Sequence, residues 1–135
     1  MSESAIQAAA QAAVALAVPG AKDWSQTPAD ILPDNLPAFT VTVTRDGAIP
    51  AAMGADLEEV QLTVEVEYFA AFASSDEGRT QITAAGEAIR AALRSDPALQ
   101  ALSDYTTGAT LEVELAQKKS RMGRATVTLS VEATF

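Results

Sequence analysis

Polar and apolar positions alternate along four stretches of this chain, and that period of two marks strands with one buried and one solvated face. Phe39, Val41 and Val43 share one side, with Thr40, Thr42 and Thr44 on the other. Val60, Leu62, Val64, Val66 and Tyr68 alternate with Gln61, Thr63, Glu65 and Glu67. Leu111, Val113 and Leu115 alternate with Thr110, Glu112 and Glu114; Val127, Leu129, Val131, Ala133 and Phe135 alternate with Thr126, Thr128, Ser130, Glu132 and Thr134. Phe69 and Phe72 break the phase of the second strand, so a bulge or strand end is expected near 69.

Two stretches follow the helical period instead. The first runs from a cap at Ser2 or Ser4 to about Val18, where Pro19-Gly20 ends it. Its apolar surface wraps widely over Ile6, Ala9, Ala10, Ala13, Val14, Leu16 and Ala17, as in helices buried against neighbours. The second begins at a capping box of Ser74 and Glu77 and carries the stripe Ile82, Ala85, Gly86, Ile89 and Leu93. Arg90 and Arg94 lie toward its C-terminus, where cations suit the helix dipole. Asp96-Pro97 then opens a short helix through Leu102.

The predicted fold is therefore α+β, with an antiparallel or mixed sheet in the order α-β-β-α-β-β and helices covering one face. Residues 1–135 form a single domain with two protruding segments. Arg45 to Glu59 (RDGAIPAAMGADLEE) is too long for a tight hairpin turn, and long loops in small domains are often functional. Gln117 to Arg124 (QKKSRMGR) is a turn between the last two strands. Residues 19–37 are a proline-rich connector that holds Trp24, the single tryptophan. Trp24 is either an anchor of that connector on the core or a contact for a partner subunit.

Composition narrows the chemistry. At 135 residues the chain suffices for one core. Hydrophobic residues make up 48%, but alanine supplies a large part, so tight helix packing or close subunit contacts are expected. With no cysteine and no histidine, disulfides, thiolate chemistry, imidazole ligands and a Ser-His-Asp triad are excluded. The net charge of −9 disfavours non-specific phosphate binding. No apolar stretch reaches the ~20 residues a membrane helix needs. The N-terminal helix lacks the basic flank of a secretory signal, so the chain is expected to be cytoplasmic at synthesis.

Two constellations stand out. Glu65, Glu67, Glu112 and Glu114 point to polar strand faces. Were their strands neighbours, they would form a patch able to raise a carboxyl pKa or hold a divalent cation; otherwise they are a solvated or subunit-facing surface. The basic turn gathers Lys118, Lys119, Arg121 and Arg124 around the apolar Met122 on an acidic chain. It reads as protection of a strand edge, as a docking finger for an acidic surface, or as a contact to passing DNA phosphates.

The arrangement resembles a known family. A helix of the form AIQAAAQAAVAL is followed by the connector ILPDNLPAFTVTV, with Leu36-Pro37-Ala38-Phe39 leading into the first strand. A strand pair, a central helix and a closing strand pair with an extended turn complete the pattern. In this it is similar to the tail terminator proteins of long-tailed bacteriophages, the family of the lambda minor tail protein U, including the versions carried by gene transfer agents. The resemblance spans nearly the whole chain and rests on pattern and length.

It implies a non-enzymatic virion structural protein in the tail-neck region, assembled in the host cytoplasm, with no cofactor and no metal. Its subunits form a homohexameric ring on the tail tube, stop tube polymerisation and offer the head-joining surface. DNA passes through the channel without specific binding. The implied partners are further copies of the chain, the tail tube protein and a head-side connector or stopper protein, with no membrane. Under that reading Lys118, Lys119, Arg121, Met122, Arg124, Ile49, Met53 and Trp24 are the candidate partner contacts. The alternatives are a head–tail connector, stopper or tail completion protein and, from another class, a carboxylate-based hydrolase or cation-binding module built on the glutamate patch.

Overall fold

The N-terminal helix α1 (Glu3–Ala17) turns Ile6, Ala10, Ala13 and Val14 inward at helical spacing. Its two glutamines reach sideways: Gln7 Nε2 donates to the Val41 carbonyl at 2.6 Å and Gln11 Nε2 to an Asp23 carboxylate oxygen at 2.9 Å. These residues, which look like interruptions of the apolar stretch, tie the helix to the edge of the sheet. The structure, a computed structural model, describes residues 3–26, 36–50, 58–72, 75–103, 105–117 and 121–134.

The fold is α+β, with three helices and a five-stranded mixed sheet. The strands are β1 (Lys22–Asp23), β2 (Ala38–Pro50), β3 (Glu58–Ala71), β4 (Tyr105–Gln117) and β5 (Arg121–Thr134). The helices α2 (Ser75–Ser95) and α3 (Pro97–Leu102) lie between β3 and β4. Across the sheet the order is β1-β2-β3-β5-β4; β1 runs parallel to β2 and the other pairs are antiparallel. The predicted order omitted β1, two residues of the connector that pair with Ala38 and Phe39. Trp24 N–H extends this pairing by donating to the Phe39 carbonyl at 2.8 Å.

Registration sets the two faces. Val41 opposes Val66, Val66 opposes Val127, and Val127 opposes Leu111, so one apolar face runs across four strands. Helix α1 packs on β2, and α2 on β3, β4 and β5, with α1 against α2 and α3. Phe39, Val64, Leu129, Ile89, Leu93 and Leu99 are each at most 1% exposed within this layer. Asp96 caps α3 as its sequence foretells, accepting from Leu99 N–H at 2.9 Å.

Several expectations are corrected. Residues 45–59 are not one long loop: β2 continues to Pro50 and β3 starts at Glu58, so 51–57 alone separate them. The pairing survives because Asp46 is a bulge, with Arg45 opposite Leu62 and Gly47 opposite Gln61. The bulged Asp46 accepts from the Thr63 hydroxyl. Arg45 turns to the helical side and pairs with Glu3 of α1 at 2.5 Å, an exposed ion pair worth about 0.2–1 kcal/mol. Of the bulge or strand end expected near 69, the structure has the strand end: Phe69, Ala70 and Ala71 stay in register with Arg124, Gly123 and Met122, and β3 stops at Ala71. The turn 117–124 is likewise shorter, since β4 ends at Gln117 and β5 begins at Arg121. The apolar wrap of α1 is not fully buried: Leu16 is 83% exposed, and Ser4, Ala8, Ala12 and Ala15 share that outer side.

Candidate interfaces and the open face of the sheet

The face opposite the helices is lined by hydroxyls and carboxylates. Thr40, Thr42, Thr44, Thr63, Thr126, Thr128 and Ser130 share it with Glu59, Glu65, Glu67, Glu112, Glu114 and Glu132. Arg124 is a cation placed by register among these acids. The patch imagined from sequence required β3 and β4 to be neighbours, and they are not: β5 lies between them. Arg124 fills the gap, with Nη2 2.6 Å from Glu114 and Nη1 3.6 Å from Glu67. Arg124 therefore bridges one glutamate of each pair, Glu67 and Glu114, across β5. Among the described residues no group of three or more carboxylates is placed to hold a metal ion.

Glu67 is nonetheless perturbed. Partial burial pushes its carboxyl pKa above the ordinary 4.5, a hydrogen bond and repulsion from Glu65 push the same way, and Arg124 opposes them. A carboxyl with a raised folded-state pKa binds more protons folded than unfolded just above 4.5. That contribution favours folding at lower pH and fades as pH rises through the raised value. Glu67→Gln should flatten this part of the profile. Thermal unfolding of both proteins across a pH series starting near 4.5 checks it; an unchanged difference between them at every pH would refute the assignment.

The sequence-predicted contacts divide. Lys118, Lys119 and Met53 lie outside the described residues, as do the side chains of Ile49 and Arg121. Arg124 is described, and it is not a free docking charge: it sits within β5, in register with Glu114 on one side and Phe69 on the other. Met122 and Arg124 do share a site, a shallow cleft of about 250 Å3 with Phe69, Glu114, Leu115 and Gly123. Phe69 belongs to it because the strand keeps its phase and turns the ring to the open face, a role that the sequence reading missed. Trp24 is partly exposed, with its backbone N–H bonded to Phe39 of β2 just beyond β1 and its indole Nε1 buried without a hydrogen-bond partner among the described residues. That placement fits an anchor of the connector.

Two further clefts lie toward the other end of the sheet. One, of about 420 Å3, is lined by Gly47, Ala48, Glu59, Val60, Gln61, Glu132 and Ala133. The other, of about 370 Å3, lies between α2 and the start of β4 and carries Arg90 and Arg94. No protein-family model matches the chain, and no curated protein matches it.

Proposed function

We propose that this chain is a structural subunit of a phage-like tail, the terminator whose ring caps the tail tube, halts its growth and presents the head-joining surface. The observation that carries the subunit reading is the outer side of α1. Residues 4–21 contain no charged side chain, and Ser4, Ala8, Ala12, Ala15 and Leu16 of that segment face outward. On a chain with net charge −9, an uncharged helix face with an exposed leucine fits contact with another protein surface.

The open sheet face supports the same reading from the other side. Its carboxylates outnumber its cations, so a channel wall built from it repels phosphate and lets DNA slide without gripping it. The resemblance to tail terminators supplies the specific identity. The separation of the two glutamate pairs by β5, with Arg124 pairing Glu67 and Glu114, favours this reading over a carboxylate hydrolase or cation site.

The test is negative-stain imaging of the purified chain with the tail-tube protein from its own gene cluster during tube growth. The expected result is short tubes with a density cap at one end and a length that falls as the chain is added. Tubes of unchanged length with bare ends would refute the terminator reading. Binding to isolated head-side connectors in that event would establish the stopper alternative.

A further inference from the structure

The cleft between α2 and the start of β4 holds two arginines with no ion-pair partner among the described residues. Arg90 and Arg94 stand one helical turn apart and line it together with Thr106, Gly108, Ala109 and Thr110. Arg90 Nε donates to the Ala109 carbonyl at 2.6 Å, which ties the guanidinium to β4, and no ion pair to Arg90 is found among the described residues. Arg94 is exposed. The ion pairs among the described residues involve Arg45 and Arg124, and neither Arg90 nor Arg94 has a carboxylate.

Two like charges one turn apart repel, so the pair is stabilised when an anion lies between them. The strand leaves room for one. β4 slips register between Thr107 and Thr110, and Gly108 takes a φ of 65° with nothing near the position of a Cβ. That left-handed conformation favours glycine, and the slip shapes the mouth of the cleft without a side chain in it. Thr106, in register with the buried Val131, stands on the helix side of β4 and adds a hydroxyl-bearing residue to the lining.

The complementary anion is on the same chain but on its other face. Glu59 and Glu132 line the cleft at the start of β3 and the end of β5. By register they lie on the open face of the sheet, whereas Arg90 and Arg94 belong to the helix that covers the opposite face. The sheet stands between them, so one copy cannot satisfy its own charges. Two unlike patches on different surfaces make a heterologous, head-to-tail contact, and such a contact closes into a ring when the rotation allows.

We propose that the Arg90–Arg94 cleft is a carboxylate-binding site whose occupant is the Glu59–Glu132 edge of a second copy of this chain. The contact gives the proposed ring a subunit boundary, and to that extent it rests on the terminator reading.

Charge reversal tests it. Arg94→Glu and Glu59→Arg change exposed side chains, so each variant should melt within a few degrees of the parent. Sedimentation at low ionic strength should show the parent self-associating, and each reversal alone weakening association by about tenfold or more. A one-to-one mixture of the two variants should restore it, because each then offers the other a matched pair at both boundaries. The neutral variants Arg94→Gln and Glu59→Gln should fall between, and salt should weaken the parent as screening shortens the reach of exposed charge. A parent that stays monomeric, reversals that associate like the parent, or a mixture that does not recover would each overturn the contact. Tube capping is scored in parallel. Capping by the parent with reversals that associate normally removes the contact and leaves the terminator standing. Restored association with no capping by the parent supports the contact and removes the terminator.

Discussion

Phe39→Ala should remove a large part of the stability of the fold. Phe39 is the largest fully buried side chain among the described residues, at 1% exposure. It stands where three parts of the chain meet. Its strand neighbours are Asp23 of β1 and Tyr68 of β3, its carbonyl accepts the Trp24 N–H, and its side chain belongs to the same buried cluster as Ile6 and Val14 of α1. A buried phenylalanine truncated to alanine costs about 3–5 kcal/mol, combining the lost transfer energy with the cavity left behind. Domains of this size are stable by about 5–15 kcal/mol, so the urea midpoint should fall steeply with an unchanged slope. Leu16→Ala provides the contrast. Leu16 is 83% exposed, so its truncation should change stability by no more than about 0.5 kcal/mol. A Phe39→Ala loss as small as that of Leu16→Ala would mean that the junction of α1 with β1 and β2 is not closed.

The pair also shows where sequence reading works. Alternation separates the two faces of β2, β3, β4 and β5 because every second residue of a strand meets the same environment. The stripe of α2 and the Asp96-Pro97 start of α3 are local signals, and both survive. What failed was non-local. Alternation stops at Thr44 because Asp46 is bulged, and the next apolar position, Ala48, resumes opposite Val60 only when the partner strand is known. Arg45 to Glu59 reads as one long loop for the same reason. A two-residue strand such as β1 has no period to detect. The position of β5 between β3 and β4 is a property of the crossover through α2 and α3, which no strand encodes by itself.

The candidate site was legible only in part. Counting outward from residues 118–120, Gln117 meets Arg121 and Glu114 meets Arg124. The sequence therefore held the signal that Arg124 has a strand partner, but grouping by charge along the chain concealed it. From sequence, Arg90 and Arg94 simply suit the C-terminal end of the helix dipole. Their cleft is lined by the stretch where β4 slips register around Gly108, and a register slip has no local signature beyond the glycine itself.

A second large effect is expected at the seam between α2 and the sheet, from Gly123→Val. Valine is a good strand residue and glycine a poor one, so in an open strand the change would stabilise by up to about 1 kcal/mol. Gly123 is not in an open strand. A Cβ there would lie 2.8 Å from Ile82 Cγ1 and 2.8 Å from Leu115 Cδ2, and valine adds two methyl groups beyond that atom. Ile82 is 1% exposed and cannot retreat along α2, since four residues on a Cβ at Gly86 would already stand 2.5 Å from Leu111 Cδ1. The helix must lift or the side chains must leave their rotamers, at about 1–3 kcal/mol. The predicted sign is thus opposite to the strand preference, and urea unfolding reads it directly. Gly20→Ala, where nothing lies near the added atom, should leave the midpoint close to that of the parent. Ile82→Ala alone should cost about 2–5 kcal/mol, but in combination with Gly123→Val the losses should fall short of their sum, because the new methyls occupy space the isoleucine vacates. Additive losses, or a gain from Gly123→Val alone, would mean that α2 does not press on β5 at this point.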